Sequence, residues 1–482
     1  MSTMNNNIVF VGASIISMLL ALDFKKNKKT KSKIIIIEKS SELGGLYKKF
    51  DYGNNLIFDY GIHIYSETNI PEIDNLFINI LGEDQWEYMS GLRRDISGTY
   101  FNNKLQLNTP FVDLRDLPKE KKSQYIGDLC MQLKKDTSPL SYDNAKDFLT
   151  AKFGESLYEE IFKPIVYKHY KMDPSLLDPM ATHILPVGRV VLFDEQEVNG
   201  LMKADALRSR IAFPDQFSLP DCYLRPGRLI YPKKFGMYRV IEKLKNILEE
   251  YGVEFHTSSD VSNIVIKNNQ CESLEFNSNG ASRMINKIEH LFWNAGYPLL
   301  LKYLNMNFDF NSSQPRFINS AFVNMILDKP VNSGKAYYLH NFKPDTNIFR
   351  VVNYFNYCPG SVSEKGFPIC ASTWINENTQ DIESQVIQEL KEMNIITDHK
   401  VNFIKAELNN HAFPNLTKDF IQELDRMRAA FRAQEYKNIN VIGMLAEKGH
   451  FYLTEALEYA FKSSKNIGLA KTLFISPTNV KV

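Results

Sequence analysis

The sequence predicts an α/β fold with a parallel sheet built from separated segments of the chain. Three observations predict it. The chain begins with a strand–helix–strand pattern, an apolar strand recurs at 290–296, and another strand opens the tail at 439–443. Between these pieces lie a long stretch with helical periodicity and a stretch rich in β-forming residues. We therefore expect an inserted helical cap and a β-rich layer around the sheet.

The first element is a βαβ unit. Residues Asn7 to Gly12 form the expected first strand, Ser14 to Lys26 the helix, and 33–38 the second strand. The second strand, KIIIIE, is apolar throughout, which is typical of parallel strands covered on both faces. A unit of this length predicts a Rossmann-like sheet with a right-handed crossover.

The cap and the β-rich layer follow from the later periodicity. From about Asn69 to Asn199, apolar and charged residues alternate at helical spacing, which predicts a mainly helical insertion. A turn, a helix and several strands come next. Residues Ala321 to Thr373 are rich in Val, Ile, Phe and Tyr and predict β-strands. The tail, from about Ile439, has the pattern of a strand, a glycine turn and a helix.

Composition excludes several classes of protein. The chain has 482 residues, 44% of them hydrophobic, enough for two or three joined domains around a sizeable core. With 57 basic and 56 acidic residues, its net charge of +1 gives no electrostatic footprint for nucleic acid. Five scattered cysteines without a CxxC pair argue against a disulfide framework or a zinc site, and a cytoplasmic location fits best. The longest apolar run, Ile8 to Leu22, is too short to span a bilayer, and no metal-binding motif is visible.

The loop after the first strand is similar to a dinucleotide-binding loop with two glycines replaced. The fingerprint G-x-G-x-x-G aligns with GASIIS, from Gly12 to Ser17, so the first glycine alone is present. Serine is the smallest polar substitute, and the Ser14 hydroxyl could bond a phosphate. The helix N-terminus would supply amide donors and a positive dipole. The alternative is a buried βαβ unit without a ligand.

The residues after the second strand make the dinucleotide prediction more specific. Glu38 ends that strand, where an acidic side chain receives the ribose hydroxyls of a dinucleotide. A double glycine, Gly44-Gly45, follows, and then D-x-G-x-H with Gly61 and His63. An acidic strand end, a double glycine and D-x-G-x-H form a far more specific combination than the first loop alone.

At these residues the chain resembles the flavin amine-oxidase superfamily, which includes protoporphyrinogen oxidases, monoamine oxidases and UDP-galactopyranose mutases. In these families the Glu-then-GG segment wraps the ribose and pyrophosphate of FAD, and the G-x-H segment passes close to the flavin ring. The stretches FGESLYEEIFKPIVYKHYKMDP, IYPKKFGMYRVIEKL and VIGMLAEKGHFYLTEALEYAFKSSKNI are also similar to family segments, so the resemblance covers most of the chain. It implies FAD as the cofactor, held by Gly12, Ser14, Ser17, Glu38, Lys39, Gly44, Gly45, Leu46, Gly61, His63, Gly443, Tyr452 and Leu453.

Within the superfamily, the local motifs are most similar to those of the mutases. FDYGIHIYSET is similar to their YGAHIFHT, and LPVGRVVLFD and NIFRVVNYF are similar to two segments that carry diphosphate-binding arginines. The resemblance implies a nucleotide sugar or related glycan precursor, used in surface polysaccharide biosynthesis and bound by Arg189, Arg350 and Tyr354. Arginine suits this role because its planar fork matches diphosphate oxygens and stays charged.

The reaction stays open at this stage. The resemblance implies His63, Arg350, His450 and Tyr452 as catalytic residues, although mutases hold a tyrosine and an aspartate in this part of the tail. Either a C–H bond next to N or O transfers hydride to the flavin, or the reduced flavin attacks an anomeric carbon in a mutase reaction. NAD(P)H, if it is the reductant, would dock transiently. The alternatives are an amine or porphyrinogen-type oxidase and a flavin-free, ligand-binding relative.

These expectations divide the chain into five spans. FAD-binding segments are expected at 1–68, 216–300 and 426–482. A mainly helical cap is expected at 69–215, and a β-rich substrate domain at 301–425. The substrate is expected to be a small molecule, no integral membrane segment is expected, and the oligomeric state is left open.

Overall fold

The computed structural model describes residues 6–134, 142–306, 308 and 317–465. Within these ranges the chain has the predicted mixed α/β architecture, in which parallel and mixed sheets pack against helices. Residues 135–141 of the expected cap and 307 and 309–316 of the expected β-rich domain lie outside the described residues, as do 1–5 and 466–482 of the expected FAD-binding segments.

The strands, in chain order, are β1 Asn7–Val11, β2 Lys33–Ile37, β3 Lys49–Asp51, β4 Ile57–Asp59, β5 Tyr65–Ser66, β6 Trp86–Met89, β7 Ser97–Phe101, β8 Lys104–Gln106, β9 Val112–Asp113, β10 Val190–Val191, β11 Leu229–Pro232, β12 Glu254–His256, β13 Ser259–Lys267, β14 Gln270–Ser278, β15 Ala281–Asn286, β16 Ile288–Trp293, β17 Phe317–Leu327, β18 Tyr338–Asn341, β19 Ile348–Asn353, β20 Phe367–Trp374, β21 Val401–Pro414 and β22 Ile439–Val441.

The helices are α1 Ile15–Lys26, α2 Pro71–Ile78, α3 Lys119–Lys134, α4 Ala145–Phe153, α5 Glu155–Leu157, α6 Lys163–Tyr170, α7 Glu195–Leu201, α8 Asp205–Arg208, α9 Tyr238–Glu250, α10 Tyr297–Tyr303, α11 Tyr354–Tyr357, α12 Ile382–Glu392, α13 Lys418–Ala433 and α14 Leu453–Lys465. A π-helical turn, Tyr158–Phe162, joins α5 to α6. Within the described ranges, none of the helices combines the length and the apolar character needed to cross a bilayer.

A five-stranded parallel sheet forms the predicted Rossmann-like core, in the order β12-β2-β1-β16-β22. β1 lies at its centre and pairs with β2 on one side and β16 on the other. Its side chains alternate between two cores. Ile8 and Phe10 pack with α1, α9 and α14, whereas Val9 and Val11 pack with β13, β14 and α10. The sheet thus joins the start of the chain to segments that come near its middle and its end.

A seven-stranded sheet forms the predicted β-rich layer, in the order β21-β17-β20-β19-β18-β7-β8. Its neighbouring strands are antiparallel except for β18 and β7. One face is apolar, and Val351 and Ala371 pack there with α12. The opposite face carries Arg350, with His340 of β18 and Ser372 of β20 directly beside it in register. Because residues opposite each other across a ladder share a face, these three side chains lie on the same side of the sheet.

The span expected to be a helical cap is not helical throughout, because it forms strands between α2 and α3. Before α3, β6 pairs with β11, and β7 and β8 form a hairpin that extends the seven-stranded sheet. The hairpin turn contains Asn102 and Asn103, both with positive φ, as a two-residue type I′ turn requires. The sequence-based prediction missed this hairpin because the neighbouring segments have helical periodicity.

Candidate functional site

The loop between β1 and α1 is built around Gly12. Its φ is +94°, and a Cβ at this position would lie 3.0 Å from the carbonyl oxygen of Asn294, so a side chain would be strained and crowded. Ser14 then caps α1, because its Oγ accepts hydrogen bonds from the amides of Ile16 and Ser17 at 3.2 and 3.5 Å. The backbone therefore requires the first fingerprint glycine, and the serine in place of the second one holds the start of the helix.

Glu38 lies directly beside this loop. Its Oε2 accepts a hydrogen bond from the amide of Ala13 at 2.7 Å, and its Oε1 accepts one from the amide of Ser40 at 2.8 Å. The carboxylate is therefore fixed at the end of β2, where a ribose would be received. Lys39 points elsewhere, since its ammonium pairs with Asp260 at 2.9 Å and is mostly exposed.

The double glycine reaches the same loop. The amide of Gly44 donates to the carbonyl of Ala13 at 2.8 Å, and a Cβ on Gly45 would lie 3.8 Å from the Cβ of Ser14. A groove of about 270 Å³ is lined by both Glu38 and Gly45. The predicted ribose residue and the predicted pyrophosphate segment therefore border one groove.

Three large apolar side chains of the predicted cofactor loops are exposed. Leu46 is 48% exposed, Met444 51% and Tyr452 44%. Leu46 follows the double glycine, and Met444 follows Gly443. A Cβ on Gly443 would clash with Oδ1 of Asn294, so the tail loop packs on the same segment as the first loop. Exposed apolar surface on each of these loops is suited to contact with a planar aromatic ligand.

The tail loop leads into α14, which begins at Leu453. The amides of Phe451 and Tyr452 both donate to a carboxylate oxygen of Glu455, at 2.8 and 2.9 Å. These donors are among those that a helix start leaves unpaired. Glu455, a residue of α14 itself, therefore accepts hydrogen bonds from both amides.

The two predicted catalytic residues of the tail have different neighbours. The Tyr452 hydroxyl donates to the carbonyl of His183 in the expected cap. The His450 ring packs against Tyr459 of α14, with 5.4 Å between ring centroids, and its Nδ1 is buried without a hydrogen-bond partner in the described chain. Over the same residues, no hydrogen bond or ring contact joins either side chain to Arg350.

The structure brings His63, Arg350 and Tyr354 into one site. A Cβ on Gly61 would lie 3.8 Å from Nη2 of Arg350 and 3.0 Å from Phe322. Burial, together with the charge of Arg350, lowers the pKa of His63 to about 4, so His63 is neutral near pH 7. The buried Tyr354 donates its hydroxyl to the carbonyl of Gly61 at 3.4 Å. Arg350 of β19 and Tyr354 of α11, which are distant in sequence from His63, thus meet the G-x-H segment that contains it.

Arg350 carries a charge without a counterion among the described residues. Within those residues its guanidinium makes no ion pair or hydrogen bond, and its Nε is fully buried without a partner. Burial is the main cause that lowers the pKa of Arg350, while the neighbouring Cys370 and several tyrosines raise it. Arginine stays charged despite such shifts. An uncompensated positive charge therefore lies on the inner face of the large sheet.

Two further histidines surround Arg350, and sequence reasoning missed both. His340 lies opposite Arg350 on β18, and the ring of His169 lies 5.1 Å from that of Trp374. Burial is the main cause that lowers the pKa of each histidine to about 3, and the charge of Arg350 contributes in both cases. With His63, three neutral imidazoles lie near one guanidinium. His169 lies within a stretch that is similar to a family segment, but nothing in that stretch marks it as a neighbour of Arg350. Sheet register brings His340 to Arg350, and tertiary packing brings His169 there.

Arg189 lies in a different environment. Its guanidinium stacks on the ring of Tyr223, 5.0 Å from the centroid, and forms no ion pair within the described part of the chain. Burial is the main cause that lowers its pKa, and the charge of Arg225 adds to it. Burial and the charges of Arg210 and Arg189 lower the pKa of Lys152 to about 8. The two predicted diphosphate-binding arginines, Arg189 and Arg350, therefore occupy two different basic centres. Arg225 and Lys152 belong to the centre around Arg189, and sequence reasoning missed both.

No protein-family model matches the chain, and no curated protein matches its sequence. Solved structures do match it. It is similar to a reduced UDP-galactopyranose mutase, with 13% identity, 97% of each chain covered and a TM-score of 0.71. It is similar to a protoporphyrinogen oxidase-like protein from Exiguobacterium sp. 255-15, with 17% identity, 97% and 99% covered and a TM-score of 0.66. It is also similar to an oxidoreductase from Methanosarcina mazei, with 13% identity, 95% and 100% covered and a TM-score of 0.57.

These likenesses confirm the predicted fold over almost the whole chain. What the chain shares with these solved structures is therefore the fold. Identities of 13% and 17% carry no substrate or residue role across to this chain.

Proposed function

We propose that the chain is an FAD-dependent enzyme that acts on a small anionic substrate, of the nucleotide-sugar or glycan-precursor class. The observation that carries this proposal is the Arg350 guanidinium, which lies without a counterion in the described chain and next to the G-x-H segment. Burying a charge is costly unless the charge is paired. A bound anion would supply the missing partner.

The residues present fit FAD. The Glu38 carboxylate is held beside the first loop, where it would bind the ribose. The loop at the start of α1 would receive the pyrophosphate, whose negative charge the helix N-terminus favours. Leu46 and Met444 offer exposed apolar surface for the ring system. When bound, FAD would supply the redox or nucleophilic step, which side chains alone perform poorly.

The protein's own residues would bind and orient the substrate. Arg350 would hold an anionic group through its terminal nitrogens. A pKa of about 4 makes His63 a weak base near neutral pH, so its role would be to hold a hydrogen bond and not to carry a proton. Tyr354 fixes the G-x-H backbone through the carbonyl of Gly61. The neutral imidazoles around Arg350 leave its charge available to the ligand.

We assign Arg189 to a second part of the substrate. Its surroundings, with Tyr223 as a stacking partner and Arg225 nearby, suit a nucleotide or a distal phosphate. Such a substrate would place the enzyme in surface polysaccharide biosynthesis. The transient use of NAD(P)H and the catalytic roles of His450 and Tyr452 stay predictions.

Titration of the purified protein tests the proposed function. We expect a yellow protein whose flavin absorbance is perturbed by a UDP-sugar. In the Arg350→Ala variant the flavin should stay bound, while the perturbation should need far more ligand. Arg426→Ala is the matched control, because Arg426 is an exposed helix arginine paired with Glu423, and it should titrate like the wild type.

Two outcomes would redirect the proposal. Bleaching of the flavin by an amine or an apolar alcohol, with no response to any nucleotide, would favour the oxidase and discard the anion site. A colourless protein that still binds a nucleotide sugar would favour the flavin-free relative.

A further inference from the structure

The two serines of the first loop share one partner, Asn294, just after the end of β16. Its Nδ2 donates to Oγ of Ser14 and to Oγ of Ser17, the latter at 3.1 Å. Ser17 is fully buried on the first turn of α1, where the third glycine of the fingerprint normally allows close packing of helix and strand. Buried hydroxyl groups need hydrogen-bond partners. Asn294 supplies that partner, so the larger side chain is tolerated.

The space for the Asn294 side chain is left open by a glycine on another segment. A Cβ on Gly443 would clash with Oδ1 of Asn294, so any side chain at that position would displace the amide. The main chain of Asn294 is equally confined, because a Cβ on Gly12 would lie 3.0 Å from its carbonyl oxygen. Ser14, Ser17, Asn294 and Gly443 therefore form one cluster, drawn from three separated parts of the chain.

The proton of the Ser14 hydroxyl is available to a ligand. Three donors point at the Ser14 oxygen: Nδ2 of Asn294 and the amides of Ile16 and Ser17. A hydroxyl has two acceptor lone pairs and one proton, so these contacts occupy its acceptor capacity. In the part of the chain that the structure describes, the Ser14 hydroxyl donates to no acceptor. It can therefore act as a donor to an anion at the loop.

We propose that Asn294 orients Ser14 so that its hydroxyl donates to a pyrophosphate oxygen of FAD. This inference rests on the proposed binding of FAD. The hydrogen bond replaces the close backbone approach that the second glycine of the fingerprint allows, and a donor to a charged oxygen makes a strong bond. Asn294 is a positioning residue, which acts through Ser14 and keeps Ser17 satisfied.

The Ser14→Gly variant gives the sharpest test, because it restores the fingerprint glycine. Glycine is an acceptable N-cap residue, so the melting temperature of the apo-protein should stay close to that of the wild type. The dissociation constant of FAD, measured by flavin fluorescence, should nevertheless rise by about tenfold or more, since a hydrogen bond to a charged group is lost. FAD binding that is equal to or tighter than that of the wild type would overturn the proposal.

The Asn294→Asp variant tests the direction of the hydrogen bonds. Aspartate offers acceptors only, so it would take the Ser14 proton and bring a negative charge next to the pyrophosphate. FAD affinity should fall further than in Asn294→Ala, which removes the orienting amide alone. Wild-type affinity in Asn294→Asp would mean that Ser14 already donates to residue 294, and the proposal would be wrong.

A cap variant elsewhere separates helix stability from FAD binding. Thr417 caps α13 through its hydroxyl, which accepts from the amide of Phe420 at 3.1 Å. Thr417→Ala should lower the melting temperature without changing FAD affinity. A wild-type chain with no affinity for FAD would refute the proposed function. Tight FAD binding by the wild type and equally by Ser14→Gly would refute this inference alone.

Discussion

The Arg350 guanidinium is the residue whose surroundings are hardest to explain without a ligand. It lies on the inner face of a sheet, its Nε is buried without a partner, and the imidazoles around it are neutral near pH 7. A buried guanidinium without a counterion would destabilise a core that has only a structural role. The arrangement is consistent with a site prepared for an anionic substrate group.

Losing one partner of a desolvated charged pair typically costs about 2–5 kcal/mol, so Arg350→Ala should weaken substrate binding by about thirtyfold or more. Arg350→Lys should restore part of the loss, because the charge remains but the planar fork is gone. Isothermal titration with a UDP-sugar measures both. Unchanged affinity in the alanine variant would exclude an anion at this position.

Glu38 gives a second prediction at the scale of single residues. Glu38→Ala removes the proposed ribose partner and also leaves the amides of Ala13 and Ser40 without their acceptor. The flavin-to-protein ratio after desalting should fall well below that of the wild type. Glu250→Ala changes an exposed residue of α9 and should retain flavin normally. Normal flavin content in Glu38→Ala would remove Glu38 from the cofactor site.

Motifs predict some of these residues and not others, for a physical reason. Glu38 and Gly12 are predictable because a strand end and a tight turn constrain the residue type locally. His340 and Asn294 are not, because nothing next to them in sequence marks their role. Sheet register brings His340 to Arg350, and the packing of β16 beside β1 brings Asn294 to Ser14.

At the scale of secondary-structure elements, Asp59 ties β4 to the start of α9. Its Oδ1 accepts a hydrogen bond from the amide of Met237 at 2.9 Å, and its Oδ2 accepts one from the hydroxyl of Tyr231 at 2.5 Å. Burial raises the pKa of Asp59 to about 7, although both hydrogen bonds lower it. The carboxyl group is therefore harder to ionise in the folded chain than in the unfolded chain.

This raised pKa predicts a pH dependence of stability. The folded state binds the Asp59 proton more tightly than the unfolded state does. The stabilising contribution of this proton to the free energy of unfolding is therefore fully present below about pH 4, and it is lost as the pH rises to about 7. Asp59→Asn should flatten the free energy of unfolding over this range, as measured by urea denaturation. Asp84→Asn, at an exposed position, should keep the wild-type slope. An identical slope in wild type and Asp59→Asn would contradict the prediction.

The elements themselves were predictable to different degrees. β1, α1 and β2 were expected almost at their observed bounds, because a fully apolar strand, a helical repeat and a second apolar strand leave little ambiguity. The β7–β8 hairpin was not expected. Its signal is a short run of β-forming residues around Asn102 and Asn103, within a span that longer helical patterns dominate.

At the scale of the whole molecule, the proposed FAD site is assembled from distant segments. The first loop, the double glycine and the tail loop each contribute to it. Gly45 lies against Ser14, while Ser14 and Gly443 both contact Asn294. A ligand that contacts all of them would bind the folded state and not the unfolded chain. Its binding energy would therefore stabilise the entire fold.

Cofactor linkage gives the corresponding measurement. At a free FAD concentration of 100 times its dissociation constant, linkage adds about 2.7 kcal/mol to the free energy of unfolding. The melting temperature of the apo-protein should therefore rise as FAD is added and keep rising with concentration. AMP, which lacks the flavin part, should give a smaller rise. A melting temperature independent of FAD would show that these loops do not form its site.

The position of β1 at the centre of the parallel sheet has a consequence for biosynthesis. β2 leaves the ribosome soon after β1, but β16 ends at Trp293 and β22 at Val441. One edge of β1 therefore stays unpaired while the residues between β2 and β16 are translated. Unpaired apolar strand edges invite association with other chains. The nascent protein should therefore depend on protection by chaperones, and each residue inserted between the two halves of the sheet prolongs that dependence.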